Sequence, residues 1–251
     1  MNIQWYPGHM TKTRRMIAEN LKYVDVVAEV IDARIPIASR NPDIDDLVGS
    51  KPRVVILNRA DQADPASSKL WGEYFRSQGM SVLECDARTG AGVKQFSPVM
   101  RGALKEQIAK WKEKGQVGRP VRAMVVGIPN VGKSTFINKV AKKKSAKAGD
   151  RPGVTRGKQW VTVDQGLELL ARRKPEAVTA RFKFVPEEGM TGWEMLELGA
   201  RKRGFLISGG EVDLERMANI LLDEFRGGKM GRITLELPSD LEKGAETDGT
   251  P

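Results

Sequence analysis

Four apolar runs punctuate the first half of the chain: VDVVAEVIDAR (24–34), RVVILN (53–58), SVLECDA (81–87) and VRAMVVG (121–127). The first two are nearly continuous in β-branched residues rather than alternating, which is the pattern of strands buried on both faces of a parallel sheet. Between the runs lie segments of helical type. One runs from Ser67 to Gln78, with Ser67 or Ser68 as its cap. A long basic one runs from Gly92 to about Lys114 and ends near Gly115. A third, Gly132 to about Lys142, follows the fourth run. Strands alternating with helices predict an α/β fold with a doubly wound, mostly parallel sheet.

The pattern changes after about residue 176. Thr191-Gly192-Trp193-Glu194 is a capping box, with Thr capping the helix and Glu reaching back. Its helix should end near Gly204. Asp213 is the expected cap of a second helix, with Leu214, Met217, Ala218, Leu221, Leu222 and Phe225 on one face and Gly227 beyond its end. These features predict a sheet domain over 1–175, a small helical domain over 176–238 and a disordered acidic tail over 239–251.

Composition narrows the class. With 251 residues and 40% hydrophobic content, the chain can bury a core. No apolar run approaches the ~18 residues of a membrane span, and the N-terminus lacks the apolar stretch of a signal peptide. Cys85 is the single cysteine, so the chain holds no internal disulfide. These absences predict a cytoplasmic protein with no membrane partner, a mitochondrial address being the alternative. The net charge of +10 is unevenly spread. Residues 101–122 carry seven Lys/Arg against two Glu, and 139–158 carry eight against one Asp. Clustered cations favour a polyanionic partner such as nucleic acid over a merely solvated face.

GIPNVGKST (127–135) fits G-x-x-x-x-G-K-[ST], a phosphate-binding loop between a strand and a helix. Its glycines let backbone N–H groups face phosphate oxygens. Lys133 would reach the β- and γ-phosphates, and Ser134 would bind Mg²⁺. A base-recognition segment comes earlier, as Asn58-Arg59-Ala60-Asp61 at the end of a buried strand. A carboxylate there accepts from the guanine N1–H and 2-amino group together, whereas adenine would leave it unsatisfied. Arg59 could lie on the purine face. N-x-x-D alone is a weak signal, because Asn and Asp also form turns; its place after VVIL carries the reading. Asp86-Ala87-Arg88 ends the next strand, where a backbone N–H could meet the guanine O6. The base-reading strands thus precede the phosphate-binding strand, as in a nucleotide-binding domain cut and rejoined in permuted order.

WYPGHM (5–10), DARIPIASRNP (32–42), NRAD (58–61), GIPNVGKST (127–135), PGVT (152–155) and RKRGFLISGGEVDLERMANILLDEFRGGKMGRITLE (201–236) together resemble the circularly permuted GTPases of the ribosome biogenesis GTPase A family. The resemblance implies a GTP-binding and GTP-hydrolysing factor for late assembly of the large (50S) ribosomal subunit. Such a factor is a monomer off the ribosome and touches rRNA. Asn58, Arg59, Ala60, Asp61, Asp86 and Ala87 would then form the guanine end of the site. Asn130, Val131, Gly132, Lys133, Ser134 and Thr135 would hold the phosphates. Thr155 matches the threonine that contacts Mg²⁺ and the γ-phosphate, although Thr155 is also a plain turn residue after Pro152-Gly153. Asn130 matches the asparagine of potassium-stimulated relatives, which makes K⁺ a candidate second ion. His9 is either the group that positions the attacking water or a half-exposed histidine in a Pro-Gly turn.

One motif departs from the family. A D-x-x-G segment should follow the switch threonine, with its Asp holding Mg²⁺ through water and its Gly sensing the γ-phosphate. The family has D-T-P-G at the end of the next strand. Here that strand should be Gly166 to Leu170, with Asp164-Gln165-Gly166 as the turn before it, yet the chain runs straight into ARRKPEAVTARFKF. A block of several tens of residues is missing between Leu170 and Ala171. Two functions remain: a GTPase, or a non-switching rRNA-binding module with impaired or absent hydrolysis.

Overall fold

A computed structural model describes residues 8–141, 159–207 and 209–241. The chain divides into two compact units. The first comprises Met1–Asp61, Pro65–Gly149 and Glu236–Pro251, and the second Gln62–Asp64 and Asp150–Leu235.

The first unit contains α1 (Gly8–Leu21), β1 (Val26–Asp32), α2 (Ile44–Val48), β2 (Arg53–Asn58), α3 (Pro65–Ser77), β3 (Ser81–Cys85), α4 (Phe96–Ala103), α5 (Lys105–Glu113), β4 (Ala123–Val126) and α6 (Lys133–Ala141). All four strands are parallel, in the order β3-β2-β1-β4. The four apolar runs are therefore the strands, as their composition predicts. β1 and β2 are buried along their whole length because both faces are covered. Val26, Ala28 and Val30 point to one side, with Val54, Ile56, Phe96 and Phe136. Val27 points to the other, with Ile17, Ile44 and Val48.

Two helices differ from expectation. The helix expected from Ser67 begins at Pro65, so Ser67 and Ser68 lie inside it rather than capping it. Proline suits this first position, since its missing N–H has no helical partner there. The helix expected from Gly92 to about Lys114 is three pieces: a 3-10 turn at Val93–Gln95, then α4, then α5. Pro98 is compatible with helix only in a first turn, which fixes where α4 starts. Leu104, at φ −107°, breaks the remainder and turns into the core at 1% exposure.

The second unit contains α7 (Gln159–Arg173), α8 (Pro175–Phe182), α9 (Gly192–Lys202) and α10 (Leu214–Arg226). Gly166 to Leu170, expected as a strand, lies inside α7, and Asp164-Gln165-Gly166 is helix rather than turn. The physical reason is visible in the packing. Leu167 and Leu170, three apart, share a helical face and are buried, and Glu168 Oε1 accepts the Gly192 N–H at 2.7 Å at the start of α9. The Thr191–Glu194 capping box and the Asp213 cap form as read from the sequence. Met217, Ala218 and Leu221 of α10 are buried with Met195, Leu196 and Ala200 of α9. A Cβ on Gly199 would lie 2.6 Å from Met217 Cε, so glycine allows the two helices to approach closely. Buried Glu224 receives Arg181 at 2.7 Å and Arg203 at 3.2 Å, an ion cluster that the apolar stripe of α10 did not reveal. In the expected tail, residues 239–241 form a helical turn in which Asp240 accepts the Leu237 N–H; residues 242–251 lie outside the described residues.

Candidate nucleotide site

Sheet register brings three positions together at one edge. Asp32 lies opposite Asn58, and Asn58 opposite Cys85, at the C-terminal ends of β1, β2 and β3. In parallel α/β sheets ligands bind off this edge, at the point where strand order reverses. Here that point is β1, which is flanked by β2 and β4. β4 stops sooner than its neighbour β1, with Val126 opposite Glu29. The chain then turns at Gly127, whose φ of 146° favours glycine and whose added Cβ would collide with the Val30 carbonyl oxygen. The glycine-rich loop is thereby laid over the end of β1 before α6 begins.

Asn58 ties the two motifs together. Its Nδ2 donates to the Val131 carbonyl at 2.7 Å, and its Oδ1 accepts the Ala87 N–H at 3.0 Å. Gly132 has φ 97°, and an added Cβ there would collide with Asn58 Nδ2. One amide N–H of Asn58 and its Oδ1 are thus engaged within the protein. Of the backbone N–H groups of Asp86-Ala87-Arg88, any one of which the sequence offered to guanine O6, the Ala87 N–H donates to Asn58. Through these two bonds Asn58 frames the site.

Arg59 adopts φ 61°, an uncommon conformation for a side chain with Cβ. Its Nη2 donates to the Asn130 carbonyl at 3.0 Å, and its Nε lies 3.6 Å from Asp32 Oδ2. Asn130 is itself left-handed, at φ 67°. The Ala60 N–H donates to the Cys85 carbonyl. Asp61 keeps its carboxylate reachable, with its side chain 35% exposed and Arg88 Nη2 at 3.7 Å. Asp86 is different: it accepts from the Arg88 N–H, the Thr89 N–H and the Thr89 hydroxyl at 2.8, 3.2 and 2.6 Å. Burial pushes its pKa up, but these hydrogen bonds and the Arg88 charge outweigh burial and hold it below the usual carboxylate range. Asp86 therefore closes a turn. Beside it, burial pushes the Cys85 thiol up to about 12, which leaves no thiolate at neutral pH.

Val131 is buried, and Lys133 begins α6. Lys133 Nζ donates back to the Ile128 carbonyl at 2.5 Å, across the loop, and partial burial lowers its pKa. Ser134 and Thr135 stand half-buried in the first turn of α6. The backbone of His9 lies in the first turn of α1 rather than in a Pro-Gly turn. The His9 side chain and Thr155 lie outside the described residues. Among the described residues no group of three or more His, Cys, Asp or Glu could hold a metal by itself.

Several residues around this edge escaped the sequence reading. Asp32 and Arg34 form a buried pair, with Arg34 Nη2 2.7 Å from Asp32 Oδ2. The Ser39 hydroxyl accepts the Asp32 N–H. Glu236, far along the chain, accepts the Ile37 and Ala38 N–H groups at 2.7 and 3.1 Å. An Asp and an Arg two apart in a strand-to-loop passage carry no signal of pairing, although both stand in the DARIPIASRNP segment.

Comparison with known proteins fits this geometry. A family profile described as "50S ribosome-binding GTPase" matches residues 122–171. "Ribosome biogenesis GTPase A" of Bacillus cereus is 38% identical over 291 positions, covering 98% of this chain and 97% of that protein. The protein of the same name from Thermotoga maritima is 31% identical, with 95% and 96% covered. GNP-bound YlqF from T. maritima aligns with a TM-score of 0.58 at 28% identity, covering 90% of this chain and 98% of that one. The B. cereus alignment runs over 291 positions against the 251 residues here, so at least 40 of them face gaps in this chain. The profile match ends at residue 171, beside the junction where the D-x-P-G block is missing. On these identities over nearly the whole chain, it belongs to the ribosome biogenesis GTPase A family.

Proposed function

We propose that this chain binds GTP and GDP with Mg²⁺ and acts in late assembly of the large ribosomal subunit in the cytoplasm. The observation that carries the reading is the Asn58–Val131 hydrogen bond, which supports one site made from N-R-A-D and the glycine-rich loop. Asp61 reads guanine through its reachable carboxylate, and Arg59 covers the purine. Asn58, Ala60, Asp86 and Ala87 hold that end in shape. Asn130 to Thr135 wrap the phosphates, with Lys133 leaving the Ile128 carbonyl to meet the β- and γ-phosphates.

The donor set suits a magnesium nucleotide. A hard cation here takes a hydroxyl from Ser134 and phosphate oxygens rather than a protein cage. When bound, it neutralises phosphate charge; Thr155 is the second proposed protein ligand. K⁺ beside Asn130 and a water-positioning role for His9 belong to the same reading. The precursor of the large subunit and its rRNA are the proposed partners, met by the cationic surfaces. Off the ribosome the chain is a monomer. The test is GTP turnover with and without large subunits, in wild type and Lys133→Ala. Equal turnover by both would overturn the assignment.

A second reading rests on α7. No D-x-x-G follows Thr155, and the segment expected to lead into it is helix with Leu167 and Leu170 buried. In this reading the chain binds guanine nucleotide and rRNA but hydrolyses GTP weakly or not at all. RNA affinity that is the same with GDP, a GTP analogue or no nucleotide would support it, and a clear nucleotide dependence would exclude it.

A further inference from the structure

Two buried charges that neither motif explains, Asp32 and Arg34, meet where β1 passes into the loop from Ala33 to Arg40. Arg34, itself 2% exposed, is folded back onto Asp32: its N–H and Nε donate to Oδ1 at 3.0 and 2.9 Å, and its Nη2 to Oδ2 at 2.7 Å. A bidentate pair with a backbone bond is a rigid unit. Arg59 leans on that unit through Asp32 Oδ2 and reaches the Asn130 carbonyl with its other nitrogen. The conformation of Arg59 is one that a side chain with Cβ adopts only when its surroundings hold it there.

The loop is gripped from the opposite end of the chain. Glu236 Oε2 accepts the Ile37 N–H at 2.7 Å, and Oε1 and Oε2 accept the Ala38 N–H at 3.1 and 3.3 Å. Two successive backbone N–H groups converging on one carboxylate form an anion-binding nest. Glu236 cannot drift from it, because its own carbonyl accepts the Trp71 indole N–H at 2.8 Å, and Trp71 is fully buried in α3. Asp32 and Asp240 are the carboxylates whose charge bears on Glu236. The side chain is held in place against burial and like charge by the loop N–H groups.

We propose that Glu236 is a positioning residue of the nucleotide site: by clamping Ile37 and Ala38 it fixes the loop whose Asp32–Arg34 pair sets Arg59 against the phosphate loop. This rests on the guanine-nucleotide reading of the preceding section. By linkage, a nucleotide that is held by Arg59 and Asn130 must tighten the clamp by the same factor that the clamp tightens the nucleotide.

The experiment pairs two readouts on the full chain: titration with fluorescent GDP, and amide hydrogen exchange at Ile37 and Ala38 with and without GDP. The variants are Glu236→Ala, which removes the acceptor, and Glu236→Gln, which keeps a neutral one. Glu215→Gln, at an exposed position of α10, is the charge control. Glu236→Ala is expected to raise the GDP Kd roughly 5- to 50-fold, a range typical of such couplings. Glu236→Gln should fall between it and wild type, and Glu215→Gln should match wild type. GDP should slow exchange at Ile37 and Ala38 in wild type and not in Glu236→Ala. If Glu236→Ala does not fold, the same comparison is made with Glu236→Gln. A folded variant with a wild-type GDP Kd, or amides at 37 and 38 indifferent to GDP, would overturn the inference alone. A wild-type chain that binds no guanine nucleotide would overturn the functional reading and this inference with it.

Discussion

Asn58 and Val131 stand 73 positions apart in the chain and are joined by a hydrogen bond of 2.7 Å. That bond holds the end of β2 against the glycine-rich loop. Chain order is irrelevant to it: the strand that carries N-R-A-D comes first, the loop second, and the sheet edge brings them together.

Replacing Asn58 by Ala should be costly because two buried partners lose their mates, the Val131 carbonyl and the Ala87 N–H. At roughly 1–3 kcal/mol for each unsatisfied group, a loss of about 2–6 kcal/mol is expected in urea unfolding. Gly132→Ala should be comparably damaging, since its Cβ would strike Asn58 at a backbone angle that disfavours it. A change below about 0.5 kcal/mol in either, the size usual for surface substitutions, would contradict the picture.

Asp61 is the proposed reader of the base, so Asp61→Asn should exchange its specificity. The amide can donate where the carboxylate only accepts. GDP affinity should fall about tenfold or more, while xanthosine diphosphate, with an oxygen in place of the 2-amino group, should gain. Competition titrations with both nucleotides decide this, and unchanged GDP affinity would remove Asp61 from the site.

Gly166 tests whether its segment is helix or strand turn. It lies inside α7, and a Cβ there would meet nothing within 4 Å. Gly166→Ala should therefore stabilise the second unit by up to about 1 kcal/mol, the intrinsic helix preference of Ala over Gly. A destabilised variant would point back to a turn.

The Glu224 cluster sets an acid limit on the second unit. Burial pushes the Glu224 pKa up, but the hydrogen bond from Arg181 and the charges of Arg203 and Arg181 outweigh burial and bring it below the ordinary 4.5. Its folded pKa is depressed, so its stabilising contribution is complete above the unfolded value and is lost as pH falls through the lower folded one. Glu224→Gln should lower stability at pH 7 by about 2 kcal/mol. Its Tm should also fall less steeply than wild type below pH 4.5. Parallel acid limbs for the two proteins would contradict this assignment.

How far sequence reading reached depended on what each residue's neighbours had to say. VVAEVID and RVVILN declared themselves because strands covered on both faces need continuous apolar residues. The loop G-x-x-x-x-G-K-S and the Thr191–Glu194 box were legible because their chemistry is local. Gly166 to Leu170 misled because five residues with Leu at three positions fit either period. Only the packing of Leu167 and Leu170, and the Glu168 bond to Gly192, decide for helix. Glu29 is buried in mid-strand because Arg40 reaches it at 3.0 Å from a loop. Glu236 is tied to a loop 199 positions away. No window along the chain could pair such residues.

The proposed guanine nucleotide site joins N-R-A-D to the glycine-rich loop in a chain that lacks the D-x-P-G block after its switch threonine. The most direct measurement is a titration of the full chain with fluorescent GDP and with a non-hydrolysable GTP analogue, in Mg²⁺ and K⁺, with ATP as competitor. Saturable binding of both guanine nucleotides, resisted by excess ATP and lost in Lys133→Ala, is the predicted result. Binding of neither, or ready displacement by ATP, would contradict the account.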